Sequence, residues 1–378
     1  MTSDVASHIS LPTSLARNHA HKSTMNSPNE PRSGSQVFTA EQPVVQRAFG
    51  RIRELIRPSH DARTSSMKLL IEWLDKVVQY NVPHGKLLRL LQVIQTFESV
   101  SPGPVSEVDL ENASVLGWVV EMFQAHYLIL DDIMDKSITR RNRKCWYLLE
   151  EVGLKAINDA ILLEAASLKV IRDVFRTHKS YLHIVELLHE VNYRTCQGQC
   201  LDLLSEKKGV YDEEHYKSIV ELKTSCYTFT LPIRLGMYLA DICDPEMHRA
   251  AEVIALQIGH IFQAQDDFLD CYGDQSGKLG TDITDGKCSW LLVRALQKAS
   301  PQQKCDILRN VGRGERGGHE ETTVKAIYNE LQMKEEFKAF ESRCFEGIRA
   351  TIDQMKRRHG LEPRIFENLL TQLYRREK

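Results

Sequence analysis

Beyond residue 45, apolar positions return every three or four residues for most of the chain, the spacing of helices that bury one face. Met67, Leu70, Ile71, Leu74, Val77 and Val78 fall on one stripe, while Lys68, Glu72, Asp75 and Lys76 lie elsewhere. From Val115 to Leu130 the chain is apolar on nearly every side, which predicts a central helix surrounded by others. Comparable patterns run through 156–176, 181–204, 214–240, 246–272, 289–300 and 322–375. Few stretches alternate with the period of two that strands need, and no long repeat is visible. The fold class predicted is all-α, a single large helical bundle packed around buried central helices.

Residues 1–45 break the pattern. They are rich in Ser, Thr, Asn, His and Pro and lack an apolar period, which predicts a disordered leader. Its few acids (Asp4, Glu30, Glu41) stand against Arg17, Lys22 and Arg32, a mild basic bias that leaves a mitochondrial targeting segment open. The arginine-rich amphipathic character of such segments is missing. Residues 46–378 are expected to form the helical domain, in the cytoplasm, with a mitochondrial location as the alternative.

Composition narrows the function more than the fold. A chain of 378 residues can bury a deep core, and a formal net charge of -2 offers no basic excess for nucleic acid. No run approaches eighteen consecutive apolar residues, so a membrane span is not expected. The nine cysteines include no CxxC pair and suggest reduced, buried thiols. Cys196 and Cys200 lie one helical turn apart, but no histidine or second pair completes a metal site around them.

One motif occurs twice. Asp131-Asp132-Ile133-Met134-Asp135 closes the central apolar helix, and Asp266-Asp267-Phe268-Leu269-Asp270 closes another. Positions i and i+4 share a helix face, so Asp131 pairs with Asp135 and Asp266 with Asp270. Carboxylates held that close repel unless a cation lies between them. Hard oxygen ligands favour Mg²⁺, which completes its shell with water and phosphate oxygens. A solvated acidic helix end would explain one such cluster, but not two that each follow strongly hydrophobic sequence. The escorts are basic: Arg140 and Arg141 follow the first cluster, and Lys223, Lys278 and Lys287 bracket the second. Carboxylates with cations describe a site for a small, multiply anionic ligand, most simply a phosphate ester. The segment Gly273-Asp274-Gln275-Ser276-Gly277-Lys278-Leu279 lacks the glycine spacing and the hydroxyl residue of a nucleotide-binding P-loop.

From about residue 65 to the C-terminus the chain resembles the farnesyl diphosphate synthase family, animal-type short-chain trans-prenyltransferases. The matching strings are Asp-Asp-Ile-Met-Asp with Thr139-Arg140-Arg141 and Cys145-Trp146-Tyr147, Gly198-Gln199-Cys200-Leu201-Asp202, Tyr216-Lys217-Ser218-Ile219, Lys223-Thr224, Phe262-Gln263-Ala264-Gln265-Asp266-Asp267, and Gly280-Thr281-Asp282 running to Lys287-Cys288-Ser289-Trp290. The resemblance implies an isoprenoid synthase bundle with a central cavity. It implies three Mg²⁺ ions held by Asp131, Asp135 and Asp266, with Asp132, Asp267 and Asp270 in support. Arg140, Lys223, Lys278 and Lys287 are then expected to neutralise an allylic diphosphate. Thr224, Gln263 and the Lys223 carbonyl would face the cation left when the diphosphate departs. Isopentenyl diphosphate, the homoallylic partner, is expected at Lys86, Arg89, Gln124, Arg141 and Arg376, with Phe262 lining the site. The resemblance also implies a homodimer. Taken singly, Lys86, Arg89 and Arg376 read as surface charges, Phe262 as core packing, and Gln199 and Asp202 as core polar groups.

The chain departs from the family in places. A Gly-Gly-Lys-x-Asn-Arg-Gly string is replaced by His84-Gly85-Lys86-Leu87-Leu88-Arg89-Leu90, and a glycine lost beside a phosphate narrows the backbone's approach. His126 and Tyr127 stand where two aromatics usually floor the chain pocket. Tyr127 predicts a product of ten or fifteen carbons, and His126 reads as a satisfied interior histidine. Cys196 replaces an expected Glu and Asn142 an expected Gly. The competing reading is a terpene cyclase of the same lineage, which ionises farnesyl or geranyl diphosphate without condensation. It has no need of Lys86, Arg89, Arg141 and Arg376 together. A non-catalytic regulatory subunit would have lost aspartates, and none is lost.

Overall fold

A computed structural model describes residues 39, 41–58, 64–273 and 280–374, without the side chains of 206–208. The expected leader lies almost wholly outside the described residues, as do Lys278 and Arg376. The domain is built from helices α1 (Pro43–Leu55), α2 (Ser65–Asn81), α3 (Leu88–Val100), α4 (Glu107–Met134), α5 (Ala156–Phe175), α6 (Tyr181–Lys208) and α7 (Glu213–Ile219). A π-helical segment, Val220–Thr230, joins α7 to α8 (Leu231–Leu239). There follow α9 (Pro245–Tyr272), α10 (Asp282–Asp285), α11 (Trp290–Lys298), α12 (Pro301–Asn310), α13 (His319–Glu330), α14 (Met333–His359) and α15 (Arg364–Tyr374). Among the described residues the only sheet is a hairpin after α4, in which β1 (Thr139–Arg140) pairs antiparallel with β2 (Arg143–Lys144).

α4 is the hub. The Ser106 hydroxyl accepts from the Asp109 amide, and Glu107 and Asp109 place negative charge at the positive end of the helix. Its buried residues run unbroken from Ala113 to His126, so α1, α3 and α5 pack around it. This is also the one described helix long and apolar enough to cross a membrane. Since 78% of its apolar window is buried inside the protein, it is a core helix. α9 begins with the same logic, the Asp244 carboxylate accepting from the Glu246 amide with Pro245 in the first turn.

Two long helical stretches differ from their sequence reading. The periodic run 322–375 is divided between three helices. One break falls where Gln332 takes φ 55°, and the other at Gly360, with φ 66° and Pro363 close behind. The run 214–240 is α-helical at both ends but widens to π-helix in the middle. A π-turn displaces side chains around the helix axis, and such turns gather at functional sites.

Candidate active site

Asp131 and Asp135 close α4 at the negative end of its dipole, where carboxylates are least welcome. Cations from other elements answer them. Lys223, on the π segment, places Nζ 3.2 Å from Asp131 Oδ1 and 2.6 Å from Asp202 Oδ2. Lys287, in the turn before α11, places Nζ 3.3 Å from Asp135 Oδ1 and 3.4 Å from the same Asp202 oxygen. Arg140, on β1, donates to Asp132 Oδ1 at 2.6 Å and to Asp131 Oδ2 at 3.2 Å.

The second cluster joins this network through its downstream loop. Asp270 accepts from the amides of Thr281 (3.3 Å) and Asp282 (3.0 Å), and the Lys287 amide donates to the Asp282 carbonyl at 2.9 Å. Gln263 ties α9 to the π segment, its Oε1 accepting from Thr224 Oγ1 at 2.8 Å while its amide donates to Asp267 at 2.9 Å. Asp267 is buried and also accepts from the Tyr216 hydroxyl (3.0 Å) and the Trp290 amide (2.7 Å). Asp132 and Asp267 are therefore bound into the wall of the site. The lysines bridge the first acidic helix end to Asp202, and the second end reaches Lys287 through the backbone of residues 280–287.

The sequence reading missed Asp202. It took that residue as a core polar group, yet both lysines converge on its carboxylate. The signal was present in its spacing. Gly198 and Asp202 are four apart on α6, and a methyl group on Gly198 would lie 2.2 Å from the Lys223 amide nitrogen. Glycine lets the π segment touch α6, and the aspartate one turn on receives the lysine that this contact delivers.

Burial shapes the charge balance. For Asp131, burial pushes upward, but Lys223, Arg140 and Lys287 hold the carboxyl below its ordinary range. For Asp135, burial and the Asp131 charge push it up to about 6. Burial, then Asp270 and Asp267, drive Asp282 well above the ordinary carboxylate range. Lys223 is raised, because Asp131 and Asp202 outweigh its own burial. The site thus holds more acid than its lysines and arginine neutralise, the donor chemistry that suits a hard divalent cation. Among the described residues no group of three or more His, Cys, Asp or Glu side chains is arranged to hold a metal ion by itself.

A second cationic site lies beside the first. Arg141 donates to Gln124 Oε1 at 3.3 Å, and Arg89 donates to Thr228 Oγ1 at 2.7 Å while stacking 4.4 Å from the centre of the Tyr227 ring. Arg89 Nε is buried without a partner. Glu121, unremarked in the sequence, is buried among these groups and accepts from the Leu90 amide at the start of α3. Lys86 is exposed nearby in sequence. Tyr127, expected at the floor of the chain pocket, donates its hydroxyl to Asn192 Oδ1 at 2.9 Å and meets the Tyr227 ring edge-on. His126 is buried with Nδ1 2.9 Å from the Ala160 carbonyl, and Phe262 packs edge-on against Phe229.

Known proteins resemble this chain over most of its length. Residues 71–331 match the family model described as polyprenyl synthetase. Farnesyl pyrophosphate synthase of Rattus norvegicus is 42% identical over 313 residues, covering 81% of this chain and 88% of that protein. The Saccharomyces cerevisiae protein of the same name is 38% identical over 317 residues, covering 81% and 90%. Among solved structures, T. brucei farnesyl diphosphate synthase complexed with risedronate aligns with a TM-score of 0.81 at 30% identity, over 88% of this chain and 99% of that one.

Proposed function

Because the chain belongs to the polyprenyl synthetase family, we propose that it is a trans-prenyltransferase of farnesyl diphosphate synthase type. It condenses isopentenyl diphosphate with dimethylallyl and then geranyl diphosphate to give farnesyl diphosphate, a step of isoprenoid biosynthesis. The observation that carries this reading is the pair of lysine bridges, Lys223 from Asp131 to Asp202 and Lys287 from Asp135 to Asp202.

Asp131, Asp135 and Asp266 would hold Mg²⁺, three ions in all, while Asp132, Asp267 and Asp270 brace the helix ends behind them. Bound there, magnesium would supply Lewis-acid neutralisation of the leaving diphosphate. Lys223 and Lys287 turn from their aspartates toward the substrate's oxygens as it enters, with Arg140 beside them and Lys278 in the same role. Charge that develops on the departing diphosphate is thereby met by groups already in place. The Thr224 and Gln263 oxygens and the Lys223 carbonyl face the allylic carbon as it becomes positive. Arg89, Arg141, Gln124, Lys86 and Arg376 hold isopentenyl diphosphate so that its double bond meets that carbon, and the departed diphosphate takes the proton. Phe262 lines the cavity, and His126 and Tyr127 close its floor at fifteen carbons. The convergence of Arg89, Arg141 and Gln124 supports condensation over cyclisation, which acts on one diphosphate and needs no second cradle. A homodimer is proposed on family grounds and on the exposed Ile157 and Ile161 of α5 and Tyr193 of α6.

The test is incubation with Mg²⁺, geranyl diphosphate and isopentenyl diphosphate. Farnesyl diphosphate is the expected product. A cyclic hydrocarbon or alcohol made from farnesyl diphosphate alone, with no condensation, contradicts the proposal.

A further inference from the structure

A small cleft opens between the β1–β2 hairpin, the end of α2 and the face of α4 that carries Ala125, Leu128 and Ile129. Tyr80, His84, Arg141, Arg143, Lys144 and Trp146 line it, together with Arg140 and a single carboxylate, Asp132. That carboxylate is already engaged by Arg140 at 2.6 Å. Among the described residues, Arg141, Arg143 and Lys144 have no carboxylate within ion-pair distance. Arg141 has the buried Glu121 as its electrostatic counterpart, so the unanswered charge of the cleft is that of Arg143 and Lys144.

The cations are held in place by the fold. Arg141 (φ 54°) and Asn142 (φ 61°) form the two-residue turn in the left-handed conformation that a tight hairpin requires, at about 1–2 kcal/mol per residue. Gly85 (φ +106°) gives Arg141 room, since a methyl group there would lie 2.9 Å from the guanidinium carbon. Arg143 lies flat over Tyr80, 3.8 Å from the ring centre, and donates one N–H to the Tyr80 carbonyl at 3.3 Å. Tyr80 is itself fixed, its hydroxyl donating to the Lys144 carbonyl at 2.8 Å and its ring 5.0 Å from Trp146. A stacked arginine with donors to spare is a preformed fork for phosphate oxygens. His84, the residue that replaces a family glycine, donates through Nε2 to the Gln79 carbonyl at 2.9 Å, leaving its other ring nitrogen at the rim.

We propose that this cleft is a phosphate-binding site, with Arg143 and Lys144 as its own contacts and Arg141 shared with the neighbouring cradle. The phosphate has two possible sources: the diphosphate of the homoallylic substrate, or free inorganic pyrophosphate released by turnover. The first source rests on the condensing activity proposed above. The site itself does not.

Arg143→Gln and Lys144→Gln are the test variants, the second on an exposed side chain whose loss leaves the Tyr80 stack intact. The Michaelis constant for isopentenyl diphosphate and the inhibition constant for inorganic pyrophosphate are measured for each. Loss of one charge-assisted contact is expected to weaken the bound phosphate about fivefold or more in Arg143→Gln and less in Lys144→Gln. A rise in the Michaelis constant assigns the site to the substrate, and a rise in the inhibition constant alone assigns it to free pyrophosphate. Changes below about twofold in both constants, in both variants with unchanged melting temperature, overturn the proposal. If the wild type performs no condensation, calorimetric titration of inorganic pyrophosphate still decides. Equal affinity in wild type and both variants then rules the site out.

Discussion

Asp131–Asp135 and Asp266–Asp270 carry the same pattern at the end of a buried helix, yet their carboxylates meet different neighbours. The first cluster is answered from a distance, by Arg140 on the hairpin, Lys223 on the π segment and Lys287 before α11. The second is knitted into its own surroundings. Asp267 accepts from Tyr216, Gln263 and Trp290, and Asp270 accepts from the backbone of the loop that leads to Lys287. One cluster collects mobile side-chain charge, while the other organises the loop that delivers part of it. The same DDxxD pattern thus meets side-chain cations at one helix end and hydrogen-bond donors of its own surroundings at the other.

The largest expected effect falls on the first cluster. Asp131→Ala should lower turnover by about a thousandfold with an unchanged melting temperature, read by steady-state kinetics and calorimetry side by side. The opposite split is expected for Asp267→Ala. Removing a buried acceptor strands three donors and should lower stability by about 3 kcal/mol in denaturant melts. If Asp267→Ala melts like the wild type, the comparison between the clusters fails.

Asp202→Asn tests the link between them. It keeps the shape but removes the charge shared by Lys223 and Lys287, and should lower kcat about tenfold, with a smaller change in stability. A full loss of activity would make Asp202 a partner of the reaction in its own right.

A pH effect separates site from scaffold on α9 itself. His248, in the first turns of that helix, is buried with Nε2 2.8 Å from the Ile242 carbonyl and its ring stacked on Tyr238. Burial, with Arg234 adding to it, depresses its pKa to about 4 from 6.5. As pH falls below 6.5 the unfolded chain takes up a proton that the folded chain refuses, so folding stability drops down to the folded value. His248→Gln should flatten that slope by about 2 kcal/mol between roughly pH 7 and pH 5. An identical slope in the variant would remove His248 from the account.

Much of this was legible in the residues. Helical periodicity marked α9 to within a residue, because its buried positions recur every three or four residues, and it found the apolar body of α4 but not the polar first turns from Glu107. The aspartate pairs were visible because a helix places i and i+4 together. Three features were not. The π segment escaped because its α and π forms have nearly the same apolar pattern over a single turn. The segment packs on α6 at Gly198, which is 25 residues before Lys223 in sequence. Asp202 looked like a core polar group because its partners come from the π segment and the turn before α11. The cationic cleft depends on the hairpin turn at Arg141 and Asn142, where the backbone conformation, not the residue types, brings the charges together.

The central claim is that the two acidic helix ends form one site. Calorimetric binding of geranyl diphosphate with Mg²⁺ to wild type, Asp131→Ala, Asp266→Ala and the double variant tests it most directly. A shared site predicts that either single change weakens binding about a hundredfold or more, and that the double variant is little worse than either one. Additive losses, or a loss confined to one cluster, would contradict it.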